Sequence, residues 1–283
     1  MSFLTRKTGS VALGVALFAL LARSQQLEVT LTLAYNVYIT GESVLVQIEA
    51  LNATRDLIEI GKPGTKDAVI IEITKGGRYN DITPFNTAPL IGAFELKPGQ
   101  SFQQKVELDK WFPLVEEGKY VAQLVVVHDG MRYESAKRSF DIVPGIPVKE
   151  GVQMFVSRQD QKRIFKLVHW NRNQTDRLFL RIEDNPGNKV WDSIDLGVLL
   201  QTFDPKIDIS PEGEVTVVHR STRDAFVRTL IWSLPDNVEV VERNQLLDPE
   251  ISASQRMRSL YGEMADDANK AKKDEKKSWW KFW

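Results

Sequence analysis

The sequence predicts an all-β protein, and three observations carry that expectation. Leu27, Val29, Leu31 and Leu33 alternate with Glu28, Thr30 and Thr32, and Val44, Val46 and Ile48 repeat the rhythm. A period of two sends successive side chains to opposite faces, as in a half-buried strand. Glycine and proline punctuate the apolar runs at Gly61, Pro63-Gly64, Gly76-Gly77, Pro98-Gly99 and Gly118. Asp129-Gly130 then separates two such runs, and Asp-Gly is a preferred two-residue hairpin turn because glycine accepts positive φ at low cost.

Taken in order, residues 1–24 read as a secretory signal peptide. Arg6 and Lys7 precede an apolar run from Val11 to Ala22, and Ala22-Arg23-Ser24 supplies a small-residue cleavage pattern. As a helix that run rises only about 18 Å, short of a bilayer core of roughly 30 Å. The 283 residues include no cysteine, which excludes disulfides, thiolate metal sites and a lipid-modified cysteine. Exported proteins of this size from animals or plants usually carry disulfides, so the expected location is a bacterial periplasm or cell envelope. Cleavage would move the formal charge from −1 to −4, giving no basic surface for nucleic acid.

Residues 25–143 are expected to form an immunoglobulin-like β-sandwich. About seven short strands follow one another, including Leu57–Ile60, Ala68–Thr74, Phe102–Leu108, Lys119–His128 and Tyr133–Val143. Gly118-Lys119-Tyr120 fits a tyrosine corner, in which a buried ring bonds back to the backbone. Tyr38-Ile39-Thr40-Gly41-Glu42-Ser43-Val44, Leu96-Lys97-Pro98-Gly99 and Gly118-Lys119-Tyr120 together resemble macroglobulin-type domains. They are also similar to the sandwich of bacterial proteinase inhibitors. The resemblance covers about residues 26–143 and implies the fold. Thr40 stands where the macroglobulin pattern often has proline, and the thioester cysteine is absent.

Pro144-Gly145-Ile146-Pro147 reads as a linker. Residues 148–245 are expected to be a second antiparallel β domain with two blade-like units of about 50 residues. Val168-His169 followed by Leu178–Ile182 resembles Val218-His219 followed by Phe226–Ile231. Two units cannot close a propeller, which needs typically four or more blades, so a compact pair of stacked sheets is preferred. Residues 246–283 read as a helical, charged tail: Asp248 can cap, Pro249 suits the first helical position, and Glu250 favours the positive helix end.

The chain contains no Gly-x-Ser-x-Gly, His-Glu-x-x-His or phosphate-loop pattern, so no catalytic residues are assigned and a non-enzymatic role is expected. No cofactor or metal is assigned either. His128, His169 and His219 lack zinc-ligand spacing, and the repeated Val-His pair reads as a structural position. Asp184, Asp192, Asp195, Asp204 and Asp208 read as turn residues, with no calcium-loop run among them.

The unusual local feature is the terminal cluster Trp279, Trp280, Lys281, Phe282 and Trp283. Burying each aromatic there is worth roughly 1.5–3 kcal/mol, so the segment reads as a docking element for the chain itself, an envelope protein or a membrane surface. Trp170, Arg172, Arg177, Arg220 and Arg223 combine arginine with aromatics as an interface rim does. The expected function is an exported binding or adaptor protein. A proteinase inhibitor with Thr83–Pro89 as bait, and a carbohydrate-binding or carbohydrate-processing protein, stand as alternatives.

Overall fold

A computed structural model describes residues 27–248, apart from 63, 77–79, 87, 156–157 and 187–188. The expected signal peptide, the tail beyond Asp248 and its aromatic cluster lie outside the described residues. Within them the protein is all-β, built of multiple antiparallel sheets with a single parallel pairing.

The chain opens with β1 (Leu27–Leu33), β2 (Val37–Ile39), β3 (Leu45–Asn52), β4 (Ile58–Ile60) and β5 (Ala68–Lys75). There follow β6 (Asn80–Asp81), β7 (Phe94–Leu96), β8 (Ser101–Glu107) and β9 (Gly118–His128). This half closes with β10 (Met131–Glu134) and β11 (Arg138–Val143). One sheet runs β1-β3-β8, and a second runs β2-β11-β9-β5-β6, with β10 also on β9. Their inward residues meet face to face. Leu31, Val46, Ile48 and Val106 pack against Ile71, Ile73, Tyr120, Leu124 and Phe140, all buried. Each such side chain contributes roughly 1.5–3 kcal/mol of burial, so alternation in the sequence translates directly into this core. The small sheet β4-β7 covers one end through Ile58, Ile60 and Leu96, against Leu27, Val126 and Tyr133.

Two expected details are present. The Tyr120 hydroxyl donates to the Glu116 carbonyl at 2.6 Å, closing the tyrosine corner. Asp129 and Gly130 both have positive φ, at 49° and 72°, and join β9 to β10. One detail differs. The run Tyr133–Val143 divides at Ser135, because the Ser135 hydroxyl occupies the Leu124 N–H at 3.0 Å and interrupts the ladder.

The second half contains β12 (Ile146–Phe155), β13 (Arg158–Arg172), β14 (Thr175–Asn185) and β15 (Lys189–Val198). It ends with β16 (Lys206–Ile209), β17 (Glu214–Thr222), β18 (Ala225–Leu234) and β19 (Asn237–Leu247). Each set of four forms one antiparallel meander in chain order. The two meanders share a core in which Phe165, Leu167, Leu180 and Ile182 face Val215, Val217 and Ile231. The 50-residue repeat is thus a structural correspondence: β13 matches β17, and the tight turns Arg172↔Thr175 and Thr222↔Ala225 match each other. Fully buried Arg163 ties the meanders together. It bonds both Asp184 oxygens, at 2.7 and 3.2 Å, the Ser233 hydroxyl at 3.1 Å and the Leu234 carbonyl at 2.7 Å. Burial opposes ionisation of Asp184, but bonds from Arg163 and Trp191 hold its carboxyl below the usual range. Asp184 is therefore part of a buried ion pair and not the turn residue its composition suggested.

The halves meet through a compact joint. Ile39, Val168 and Phe179 form a buried cluster with Val143 and Trp170 against it. The Ser193 hydroxyl donates to the Thr40 carbonyl at 2.6 Å, and its N–H to the Gly41 carbonyl at 3.1 Å. β12 begins at Ile146, inside the stretch that reads as a linker, and Ile146 pairs with His169.

Candidate binding site

A concavity of about 510 Å³ lies in the first half, between β5 and a wall that includes Pro84, Asn86 and residues 88–93. Its size falls in the range of ligand pockets, which run from roughly 300 to 1,000 Å³. Val69, Ile71, Leu90, Ile91, Trp111 and Phe112 make its wall apolar, and Ile60, Gly61, Lys62, Gly64 and Thr65 also line it. Sequence explains the outer wall. Pro84 and Pro89 lack an N–H and cannot donate to a ladder, and past Ile82, whose N–H still bonds the Ile73 carbonyl, the described residues up to β7 make no backbone bond to β5.

Polar groups at the rim satisfy one another. Asp67 accepts from the Asp129 N–H at 3.2 Å and stands 3.0 Å from His128 Nδ1. The Asn86 side-chain oxygen accepts the Ala88 N–H at 3.0 Å, and Lys62 is ion-paired with Glu59. Asp67, His128 and Asp129 place ligand-type atoms within 4.8 Å of one another. His128 and Asp67 already pair, and Asp129 is largely exposed.

The remaining polar groups belong to the backbone of β5. β5 pairs with β9 along its whole length, from Ala68↔Val127 to Lys75↔Tyr120. Gly76 N–H donates to Lys119, which sets the even-numbered residues toward β9. Antiparallel strands alternate the direction of both N–H and C=O, so odd-numbered residues point to the opposite edge. Ile73 does so, and its carbonyl accepts the Ile82 N–H at 2.8 Å. β6 covers only Thr74 and Lys75. Val69 and Ile71 therefore turn an N–H and a C=O each toward the cavity, and among the described residues no backbone hydrogen bond meets them there.

The five residues expected as a rim are not all at the surface, although Trp170 and Arg177 are cross-strand partners. Arg172 is inside the joint, bonded to Glu42 and to the Val37 carbonyl. Trp170 packs beside it on the Ile39–Val168–Phe179 cluster. Arg177 pairs with Asp195 on β15. Arg220 bonds the Arg223 carbonyl and Asp248, and Arg223 is exposed at the β17–β18 turn. The three histidines lie apart. His128 is at the cavity rim, His169 lines a smaller cavity beside Pro147 and Phe203, and His219 is buried between the meanders. The candidate bait segment forms the cavity wall through Pro84, Asn86, Ala88 and Pro89, while Phe85 is exposed. Sequence reading missed the cavity, because it depends on which strand lies at the sheet edge. Pro84 and Pro89, with the apolar pair Leu90-Ile91 directly after, were the available signal.

No family model matches the chain, and no curated protein matches it. Among solved structures, the chain is similar to Spo0M, a sporulation control protein from Bacillus subtilis. That likeness has 10% sequence identity and a TM-score of 0.29, and covers 86% of this chain and 98% of that one. At this score the likeness adds nothing to the argument for a function.

Proposed function

We propose that this chain is a non-catalytic binding and adaptor protein of a bacterial cell envelope. It is exported by residues 1–24, holds an immunoglobulin-like domain and a second β domain in fixed relation, and docks through Trp279–Trp283. The observation that carries the reading is the apolar cavity beside β5, whose rim side chains are spent on one another and whose walls suit an apolar guest. The buried joint supports it, because a scaffold that links two partners must transmit their relative position. The leader-like start and the aromatic cluster support the location and the second contact.

Co-purification from envelope extract tests this with three proteins: the full chain, the chain lacking Trp279–Trp283, and Gly92→Trp. Gly92 lines the cavity and a Cβ there meets nothing within 4 Å, which makes it the position for an obstructing side chain. Each altered protein should lose a stoichiometric partner that the full chain retains. Unchanged partners for both would overturn the adaptor reading. The inhibitor alternative has less support, since its bait segment forms a wall.

A further inference from the structure

We infer that the cavity along β5 is a strand-addition groove for an extended, apolar segment of a partner protein. This rests on the binding reading above and specifies the chemistry of the guest. Two features of the groove select a peptide over a lipid or a small apolar molecule. The first is the pair of backbone donors and acceptors at Val69 and Ile71, which face the cavity two residues apart. Two residues along a strand span about 6.8 Å, the repeat at which another strand presents its own N–H and C=O. A hydrocarbon offers nothing to these groups, and a compact ligand meets only one position. The second feature is the apolar wall of Leu90, Ile91 and Trp111, placed to take every other side chain of an added strand.

Two of the devices that normally keep a sheet edge closed, proline and lysine on the strand itself, are missing here. Between Ala68 and Ile73 there is no proline and no lysine, and β6 stops short of covering it. Ile70 is 40% exposed on the opposite face of the same strand. The segment that does lie over the edge carries Pro84 and Pro89, so it shields the strand without satisfying it. The fitting guest is therefore a stretch of about five residues in extended form, free of proline, with aliphatic or aromatic side chains at alternate positions.

The test uses the full chain and blocked heptapeptides alternating threonine with valine or with phenylalanine. A second set carries N-methyl groups on alternate amides, which removes backbone donors and leaves the side chains unchanged. Calorimetric titration should show binding of at least one unmodified peptide, weakened about tenfold or more by N-methylation. Gly92→Trp should abolish it. Val69→Pro, which deletes an N–H aimed at the groove and none aimed at β9, should weaken it by a similar factor. Equal binding of methylated and unmodified peptides would overturn strand addition while leaving an apolar binding site. Binding of the apolar dye anilinonaphthalene sulfonate at the Gly92-sensitive site, with no peptide binding, would do the same. Peptide-sensitive dimerisation in sedimentation would assign the edge to a second copy and overturn the partner assignment. No binding of peptide or dye would remove the cavity as a binding site altogether.

Discussion

Arg172 and Glu42, 130 residues apart in sequence, form a two-pronged ion pair at 2.8 and 2.6 Å in the joint between the halves. Both are nearly buried, with side-chain exposures of 4% and 11%. The guanidinium also lies 4.1 Å from the Tyr35 ring and 5.0 Å from that of Phe179. Burial opposes the charge of Arg172, but the Glu42 bonds win and raise its pKa above the usual arginine value. The planar fork fits a carboxylate in a way that lysine would not.

Removing one partner leaves the other charge buried alone. Arg172→Met is expected to destabilise the protein by about 3–5 kcal/mol. Arg172→Met combined with Glu42→Leu should cost less than the single changes added together. Urea unfolding of the three variants measures both values. Additive losses would mean that the pair is not coupled.

Gly41 makes the same joint sensitive to a single methyl group. Its φ is 85°, and a Cβ there would stand 2.3 Å from Val190 Cγ1. Gly41→Ala should therefore destabilise by more than the roughly 1 kcal/mol that an alanine costs in a left-handed conformation alone. Gly41→Ala paired with Val190→Ala should recover part of the loss. Thermal unfolding reads both effects.

His219 gives the fold a defined acid sensitivity. Burial between the meanders pushes its imidazole down to about 4. The unfolded chain binds a proton near the ordinary value of about 6.5, while the folded chain does not until about pH 4. Stability is therefore highest above pH 6.5 and falls as pH drops toward 4, by up to about 3 kcal/mol. His219→Leu should flatten that slope. An unchanged slope in urea titrations at stepped pH would show that another group carries it.

Tyr120→Phe should cost about 0.5–1.5 kcal/mol, the value of one hydrogen bond to the Glu116 carbonyl. Loss of the bond without loss of the ring isolates the corner from the stacking of Tyr120 on Phe140 at 5.3 Å. Denaturant midpoints of the two proteins give the difference.

Local chemistry made much of the fold legible. Alternation located most strands, Asp129-Gly130 gave its hairpin, and the spacing of His169 and His219 exposed the two matching meanders. Long-range relations were not legible. Thr40-Gly41-Glu42 reads as an ordinary turn, yet it docks on β15 and supplies the carboxylate for Arg172. Nothing in the sequence marks Arg163, yet it is fully buried between two sheets. The cavity was hidden for the same reason: nothing in Ala68–Lys75 says that β6 covers only its last two residues.

Amide hydrogen exchange, resolved by residue across β5 in the free protein, bears most directly on the open edge. Val69 and Ile71 should exchange about tenfold or more faster than Ile70 and Glu72, whose N–H groups face β9 within the ladder. Slow exchange at Val69 and Ile71, equal to that of their neighbours, would show the edge already satisfied and contradict a groove waiting for a strand.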